Sequence, residues 1–295
     1  MGESAIVETA ALVKEYGDAV ALAGIDFSVD RGLVYGLIGP NGAGKTTLLG
    51  VLSGLRTPTS GSVHVDSGHI AVLPDSPAFD PWLTAYEVVD LARTLAPTDA
   101  PQSVVDDVLE QAGLAEAAQR KVSGFSRGML QRLGIAATVV GGPDLLLLDE
   151  PAAALDPAGR REVLDLVAGI RGRATVLFSS HILDDVQEVC DEIGILRRGE
   201  LVYDGSLEGL IARQSPQAQY VIEVRGEAAG LAHTLLSHAW VETATARDSV
   251  VTVESESRDA AEQHLAAVVG NYGLPVVSIT PQTRSLEEIF LEVTA

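Results

Sequence analysis

The residues best suited to chemistry lie in one continuous stretch, Gly39, Pro40, Asn41, Gly42, Ala43, Gly44, Lys45 and Thr46, followed by Thr47. The stretch fits the phosphate-loop pattern G-x-x-x-x-G-K-[ST] in full. Glycines at these positions let backbone N–H groups approach phosphate oxygens with no Cβ in the way. A helix starting just after them adds the partial positive charge of its N-terminus. Lys45 is long enough to reach the β- and γ-phosphates, and the Thr46 hydroxyl can ligate Mg²⁺.

A second cluster is Leu145-Leu146-Leu147-Leu148-Asp149-Glu150-Pro151. An apolar run ending in a carboxylate places Asp149 at the tip of a buried strand, where it can hold Mg²⁺ or its water shell. Glu150 follows directly, so its side chain turns the other way. It is placed to polarise an attacking water as general base.

The elements that must position these groups are legible from periodicity. Residues 4–14 and 25–38 read as strands, and Val34–Ile38 runs straight into Gly39. Leu48, Leu49, Val51, Leu52 and Leu55 then recur at helical spacing. This is strand, glycine loop, helix. Residues 63–73 read as strands, and Pro74, Pro77 and Pro81 break the chain into a loop. Residues 84–137 read as mostly helical. Leu145–Leu148 suits a strand buried on both faces of a parallel sheet. A helix over 159–171, a strand over 174–178, a helix over 182–192 and paired strands over 193–203 complete the first part. Composition shifts near Arg213-Gln214-Ser215-Pro216. The order beyond it is strand, helix, strand, strand, helix, strand, as in ferredoxin-like domains, with a last helix over 285–293.

Composition narrows the partners. The chain has 41 acidic and 20 basic residues, a net charge of −21, which disfavours a phosphate backbone as the main partner. Cys190 is the only cysteine, so no internal disulfide can form, as suits a reducing compartment. The first residues lack a basic start followed by an apolar stretch, so no secretory signal is expected. No apolar run approaches the ~18 residues that span a bilayer. A membrane role would therefore run through a partner. The histidines at 64, 69, 233, 238 and 264 have no metal-ligand companions, and no metal beyond Mg²⁺ is expected.

With these motifs in this order, residues 4–215 resemble the nucleotide-binding subunit of an ATP-binding-cassette (ABC) transporter. The resemblance implies an α/β P-loop NTPase core of RecA-like type, with an antiparallel β subdomain and a helical insert at about 76–137. Residues 1–215 would form the ATP-binding domain and 216–295 a small α/β accessory domain. Phe125-Ser126-Arg127-Gly128-Met129 lies where the family has its signature motif, continued by Leu130-Gln131-Arg132-Leu133. Only the serine and second glycine of the usual Leu-Ser-Gly-Gly-Gln are kept. By resemblance they act on ATP held by the other protomer, which implies a homodimer. Ala154, Leu155 and Asp156 lie at the D-loop, and His181 at the switch histidine that contacts the γ-phosphate. Tyr16 lies where an aromatic residue stacks on adenine, although its type also suits an ordinary tyrosine.

The signature variant and the ending Ser285–Val293 are similar to exporters that work with ABC-2-type membrane permeases. The resemblance thus implies an ATPase on the cytoplasmic face of the membrane, binding ATP and Mg²⁺, with a permease partner and no nucleic acid. One departure stands out. Where the family places a glutamine after Leu-Pro, Leu73-Pro74 is followed by Asp75, a candidate Mg²⁺ ligand that adds negative charge. Slower turnover or weaker coupling is expected from it. Phe79 and Trp82, in the region that receives the membrane partner in the family, suit either interface anchors or core. Rival readings are a soluble ABC ATPase acting on ribosomes or DNA, and an ATP-sensing subunit with little catalysis. The acidic balance opposes the first, and intact Lys45, Asp149, Glu150 and His181 oppose the second.

Overall fold

A computed structural model describes residues 5–153, 155–214, 218–282 and 290. In chain order the first elements are β1 (Ala5–Tyr16), β2 (Ala19–Asp30), β3 (Val34–Ile38), α1 (Lys45–Leu52), β4 (Ser60–Val65) and β5 (Ile70–Leu73). Next come α2 (Ala85–Leu95), α3 (Ser103–Gln111), α4 (Arg127–Val139), β6 (Leu145–Leu148), α5 (Pro157–Ala168), β7 (Thr175–Ser180) and α6 (Leu183–Val189). β8 (Glu192–Arg197), β9 (Glu200–Ser206) and α7 (Leu207–Gln214) follow.

The central sheet has the order β5-β6-β7-β3-β8-β9, parallel except for the antiparallel pair β8/β9. Its middle strands are apolar on both faces. Every residue of β3, β6 and β7 is buried. Full burial of a leucine such as those of β6 contributes about 1.5–3 kcal/mol, so this short run is held firmly although only four residues long. β2-β1-β4 form a separate antiparallel sheet. Its Ile6, Leu12, Leu22 and Ile25 share one core with Leu48 and Leu52 of α1 and with Leu145 and Leu147 of β6.

The helical segment has its own core, in which Val88, Val89, Val105, Leu109 and Leu133 are buried together. Local capping sets its helix starts. Thr84 and Glu87 form a reciprocal capping box on α2, and Ser126 caps α4 through the Met129 N–H. Against the central sheet α4 packs closely. A Cβ on Gly134 would lie 2.5 Å from Leu73 Cδ1, so a larger residue there would have to displace that leucine side chain.

The described chain divides into two compact units, the first ending at Leu207 and the second starting at Glu208. The expected division at residue 215 falls among residues outside the described ones, one helix beyond this point. In the second unit, β10 (Ala218–Val224), α8 (Ala229–Leu236), β11 (Val241–Arg247), β12 (Val250–Ser255), α9 (Arg258–Tyr272) and β13 (Val276–Gln282) follow in the expected strand–helix order. The sheet order is β11-β12-β10-β13, antiparallel throughout. Ile222, Val251 and Val253 pack against Leu231 and Leu235 of α8 and Leu265 of α9. The expected helix over 285–293 lies outside the described residues except at Phe290.

Candidate nucleotide-binding and hydrolysis site

The glycine loop runs from the end of β3 into α1, as the motif requires. Gly44 has φ +112°, and a Cβ there would sit 2.5 Å from Ala21 O, so both conformation and space demand glycine. Gly44 makes no side-chain cap on α1, and the first turn carries no acidic residue. The N–H groups of that turn are therefore left for an external acceptor, and the helix dipole favours an anion. This fits a phosphate.

Lys45 folds back over the loop. Its Nζ is 2.6 Å from Gly39 O and 3.4 Å from Pro40 O. It is also 3.1 Å from Glu150 Oε1, and the side chains are 6% and 14% exposed. A second Glu150 oxygen, Oε2, lies 2.8 Å from His181 Nδ1. Against an ionised Glu150 the Nδ1–H donates, since a carboxylate only accepts. Lys45, Glu150 and His181 thus form one chain of contacts across a cavity of about 490 Å³. Asn41–Thr47, Asp75, Asp149, Glu150 and His181 line it, with Arg127 from the start of α4. A volume of this order suits a small ligand.

Asp149 and Glu150 are fixed by a residue that the sequence reading passed over. Ser179 Oγ on β7 donates to Asp149 Oδ1 at 2.7 Å and accepts from the Glu150 N–H at 2.8 Å. β6 and β7 are parallel neighbours, with Leu148 opposite Phe178, which puts Ser179 beside Asp149. Glu150 itself has φ +49°, a left-handed conformation costing a non-glycine residue about 1–3 kcal/mol. In this conformation its carboxylate meets Lys45 and His181. A serine at a buried strand end next to a motif histidine was the only available signal.

Gln131 belongs to the stretch that continues the signature motif, but nothing in the sequence distinguishes it as a tie between segments. Its side chain is 2% exposed, and its Nε2 donates to Asp75 O at 3.2 Å and Pro151 O at 3.1 Å. One amide therefore ties α4 to the loop of Asp75 and to the turn after Glu150. The Asp75 carboxylate is exposed on the cavity lining and accepts from Ser76 Oγ at 3.3 Å.

The remaining expected residues lie elsewhere. Tyr16 stands at the end of β1, 46% exposed and outside the lining of this cavity. Ser126 is the cap of α4, and a Cβ on Gly128 would meet nothing within 4 Å. Among the described residues no packing therefore requires glycine there. Asp156 caps α5, accepting from Gly159 N at 3.3 Å, while Ala154 lies outside the described residues. Phe79 packs on the helical core, whereas Trp82 is 63% exposed. Cys190 is pushed well above the ordinary thiol range by burial, which fits an inert apolar role.

Thr46, Asp149 and Asp75 all line this cavity and carry oxygen donors, the atom type that Mg²⁺ takes. Among the described residues no group of three or more His, Cys, Asp or Glu side chains is gathered as for a metal ion, and no helix is long and apolar enough to cross a membrane.

A sheet of this order, a glycine loop between β3 and a helix start, and paired acids at the end of β6, one strand away across β7, define an ATP-hydrolysing cassette. The sequence matches the ABC transporter family over residues 22–153. It is 36% identical to the ABC transporter ATP-binding protein YxlF of Bacillus subtilis (strain 168), over 96% of this chain and 97% of that one. It is 32% identical to the daunorubicin resistance ATP-binding protein DrrA3 of Streptomyces coeruleorubidus, over 95% and 93%. A solved ATP-binding subunit of an ABC transporter superposes with a TM-score of 0.64 at 29% identity, covering 71% of this chain and 92% of that one. The chain belongs to the ABC transporter ATP-binding proteins. It is an ATP-binding subunit whose cassette hydrolyses ATP.

Proposed function

We propose that this subunit powers an exporter whose permease is a separate membrane protein of the ABC-2 type. Two copies close head to tail on two molecules of ATP at the cytoplasmic face of the membrane. Residues 1–215 act as the ATP-binding domain and 216–295 as an accessory domain. The observation that carries the reading is the convergence of Lys45, Glu150 and His181 on one cavity beside the glycine loop. The likeness to a daunorubicin resistance protein over nearly the whole chain favours export.

In this reading the loop Gly39–Thr47 wraps the phosphates and Tyr16 stacks on the base. Thr46 and Asp149, with Asp75 nearby, would hold Mg²⁺, which would supply neutralisation of the phosphate charge. Lys45 exchanges its contact with Glu150 for the phosphates, which frees the carboxylate to take a proton from the attacking water. His181 stabilises the charge that develops on the γ-phosphate. Ser126 and Gly128 contribute from the partner protomer, which accounts for a glycine that packing among the described residues does not need. Loss of the γ-phosphate then releases the dimer, and the permease converts opening and closing into movement of substrate.

The test is recovery of partners by tagged Glu150→Gln protein with ATP and Mg²⁺ from gently solubilised native membranes. A polytopic membrane protein in stoichiometric amount is expected. Recovery of ribosomes, nucleic acid or soluble protein alone overturns the exporter.

A further inference from the structure

Tyr16 is not a lone surface ring. Arg56 Nη1 donates to its hydroxyl at 2.8 Å and lies 3.3 Å from Thr47 Oγ1 on α1. The guanidinium carbon is 5.8 Å from the ring centroid, at the hydroxyl end, and the Lys14 ammonium lies over the ring at 4.9 Å. The arginine is itself built in. Its N–H donates to Gly50 O at 2.9 Å, and its stem crosses α1 where a Cβ on Gly50 would come within 2.8 Å of Cδ. The backbone before the ring is tied to the same segment, through Glu15 N to Thr59 Oγ1 at 2.9 Å and Thr59 N to Val13 O at 2.8 Å.

We propose that Arg56 is a positioning residue that holds the Tyr16 ring ready for the nucleotide base. The inference rests on the reading of Tyr16 as the base-stacking residue. A half-exposed tyrosine on a strand end otherwise samples several rotamers, and fixing a side chain on binding costs about 0.5–1.5 kcal/mol. Arg56 removes that cost in advance by locking the hydroxyl end. The Lys14 ammonium over the ring adds a second cation contact that holds it in place. Through Thr47 the same guanidinium sets the ring at a fixed place relative to the helix that receives the phosphates. Base and phosphates are thereby registered to each other.

The experiment is calorimetric titration of the full chain with ATP and, separately, with inorganic tripolyphosphate, which has no base. Arg56→Met keeps the stem and removes the donors. Tyr16→Phe keeps the ring and removes the acceptor, so it reads the same contact even should the arginine variant fold poorly. Tyr16→Ala removes the ring. All three are expected to weaken ATP binding, the first two by about threefold to tenfold. Tripolyphosphate affinity stays within about twofold for each. The double variant Arg56→Met with Tyr16→Phe is expected to bind ATP no more weakly than either single variant, since one contact is removed twice. An unchanged ATP affinity in Tyr16→Ala overturns the base-stacking reading itself. Weakened ATP binding in Tyr16→Ala with none in Arg56→Met and Tyr16→Phe overturns the role of Arg56 alone. An equal loss for ATP and tripolyphosphate in Arg56→Met shows a charge acting on phosphate, and also overturns it.

Discussion

Lys45 Nζ and Glu150 Oε1 lie 3.1 Å apart, and both side chains are largely removed from solvent. The cation proposed to bind phosphate and the carboxylate proposed to polarise water are thus paired with each other. In the proposed mechanism this contact is exchanged before hydrolysis. Glu150→Gln keeps the shape but removes the base. Turnover is expected to fall at least about 100-fold, while ATP affinity holds or rises because Lys45 loses its competing charge. Single-turnover hydrolysis and equilibrium binding on the same preparation separate the two effects. Normal hydrolysis would remove Glu150 from its role.

Ser179→Ala leaves the Asp149 carboxylate and the Glu150 N–H without their shared partner. Each buried group left unpaired costs about 1–3 kcal/mol. The released Glu150 backbone also has less to hold its left-handed turn. Melting temperature should drop, and kcat should drop by about tenfold or more. A variant with wild-type kcat would show that Ser179 supports the strand ends and not the base.

Asp75 places a charged, shorter side chain where the resembling family carries a glutamine. Asp75→Gln removes a negative charge from the cavity lining and is expected to raise turnover several-fold at saturating Mg²⁺. Its dependence on Mg²⁺ concentration should shift as well. ATPase rates over a Mg²⁺ series check this, and an unchanged profile removes any catalytic part for Asp75.

Phe79 and Trp82 should respond in opposite ways. Phe79 packs on the helical core, so Phe79→Ala is expected to cost about 3 kcal/mol or somewhat less, given its partial burial. Trp82 is 63% exposed, so Trp82→Ala should leave chemical denaturation almost unaltered. It should instead lower recovery of the membrane partner, as expected of an aromatic anchor. A permease recovered in full by Trp82→Ala would place the contact elsewhere.

Asp204 accepts from the Tyr35 hydroxyl at 2.7 Å, and burial holds its carboxyl above the ordinary range. Glu192 is raised by burial first and then by Asp204, Asp30 and Asp191. A carboxyl raised on folding adds stability below its unfolded pKa, near 4, and loses it as pH rises through the folded value. Asp204→Asn keeps an acceptor for Tyr35 without the charge. Its melting temperature should exceed that of the parent at pH 7–8, and the gain should vanish towards pH 4. Thermal melts across that range test the sign.

Short motifs carried much of the catalytic reading. Gly39–Thr46 determines a phosphate loop because its glycines, lysine and threonine act through backbone conformation and sequence-adjacent groups. Leu145–Glu150 determines a buried strand tipped with acid because four leucines in a row suit only an element covered on both faces. The alternation in residues 218–282 likewise gave the strand–helix order of the second unit, as each element there satisfies its own periodicity. What lay beyond reach is contact between segments distant in the chain. Ser179 meets Asp149 because β7 lies beside β6 in parallel register, and Gln131 reaches Asp75 and Pro151 because α4 packs against β5 at Gly134. Arg56 meets Tyr16 only because the chain returns from α1 to the end of β1. Phe79 and Trp82 carry the same apolar signal in the sequence, and packing alone buries one while exposing the other. Residue type and spacing fix what a side chain can do. Which partner it does it with is set by sheet order and helix packing, where the free energy of burial is shared among residues that no local pattern connects.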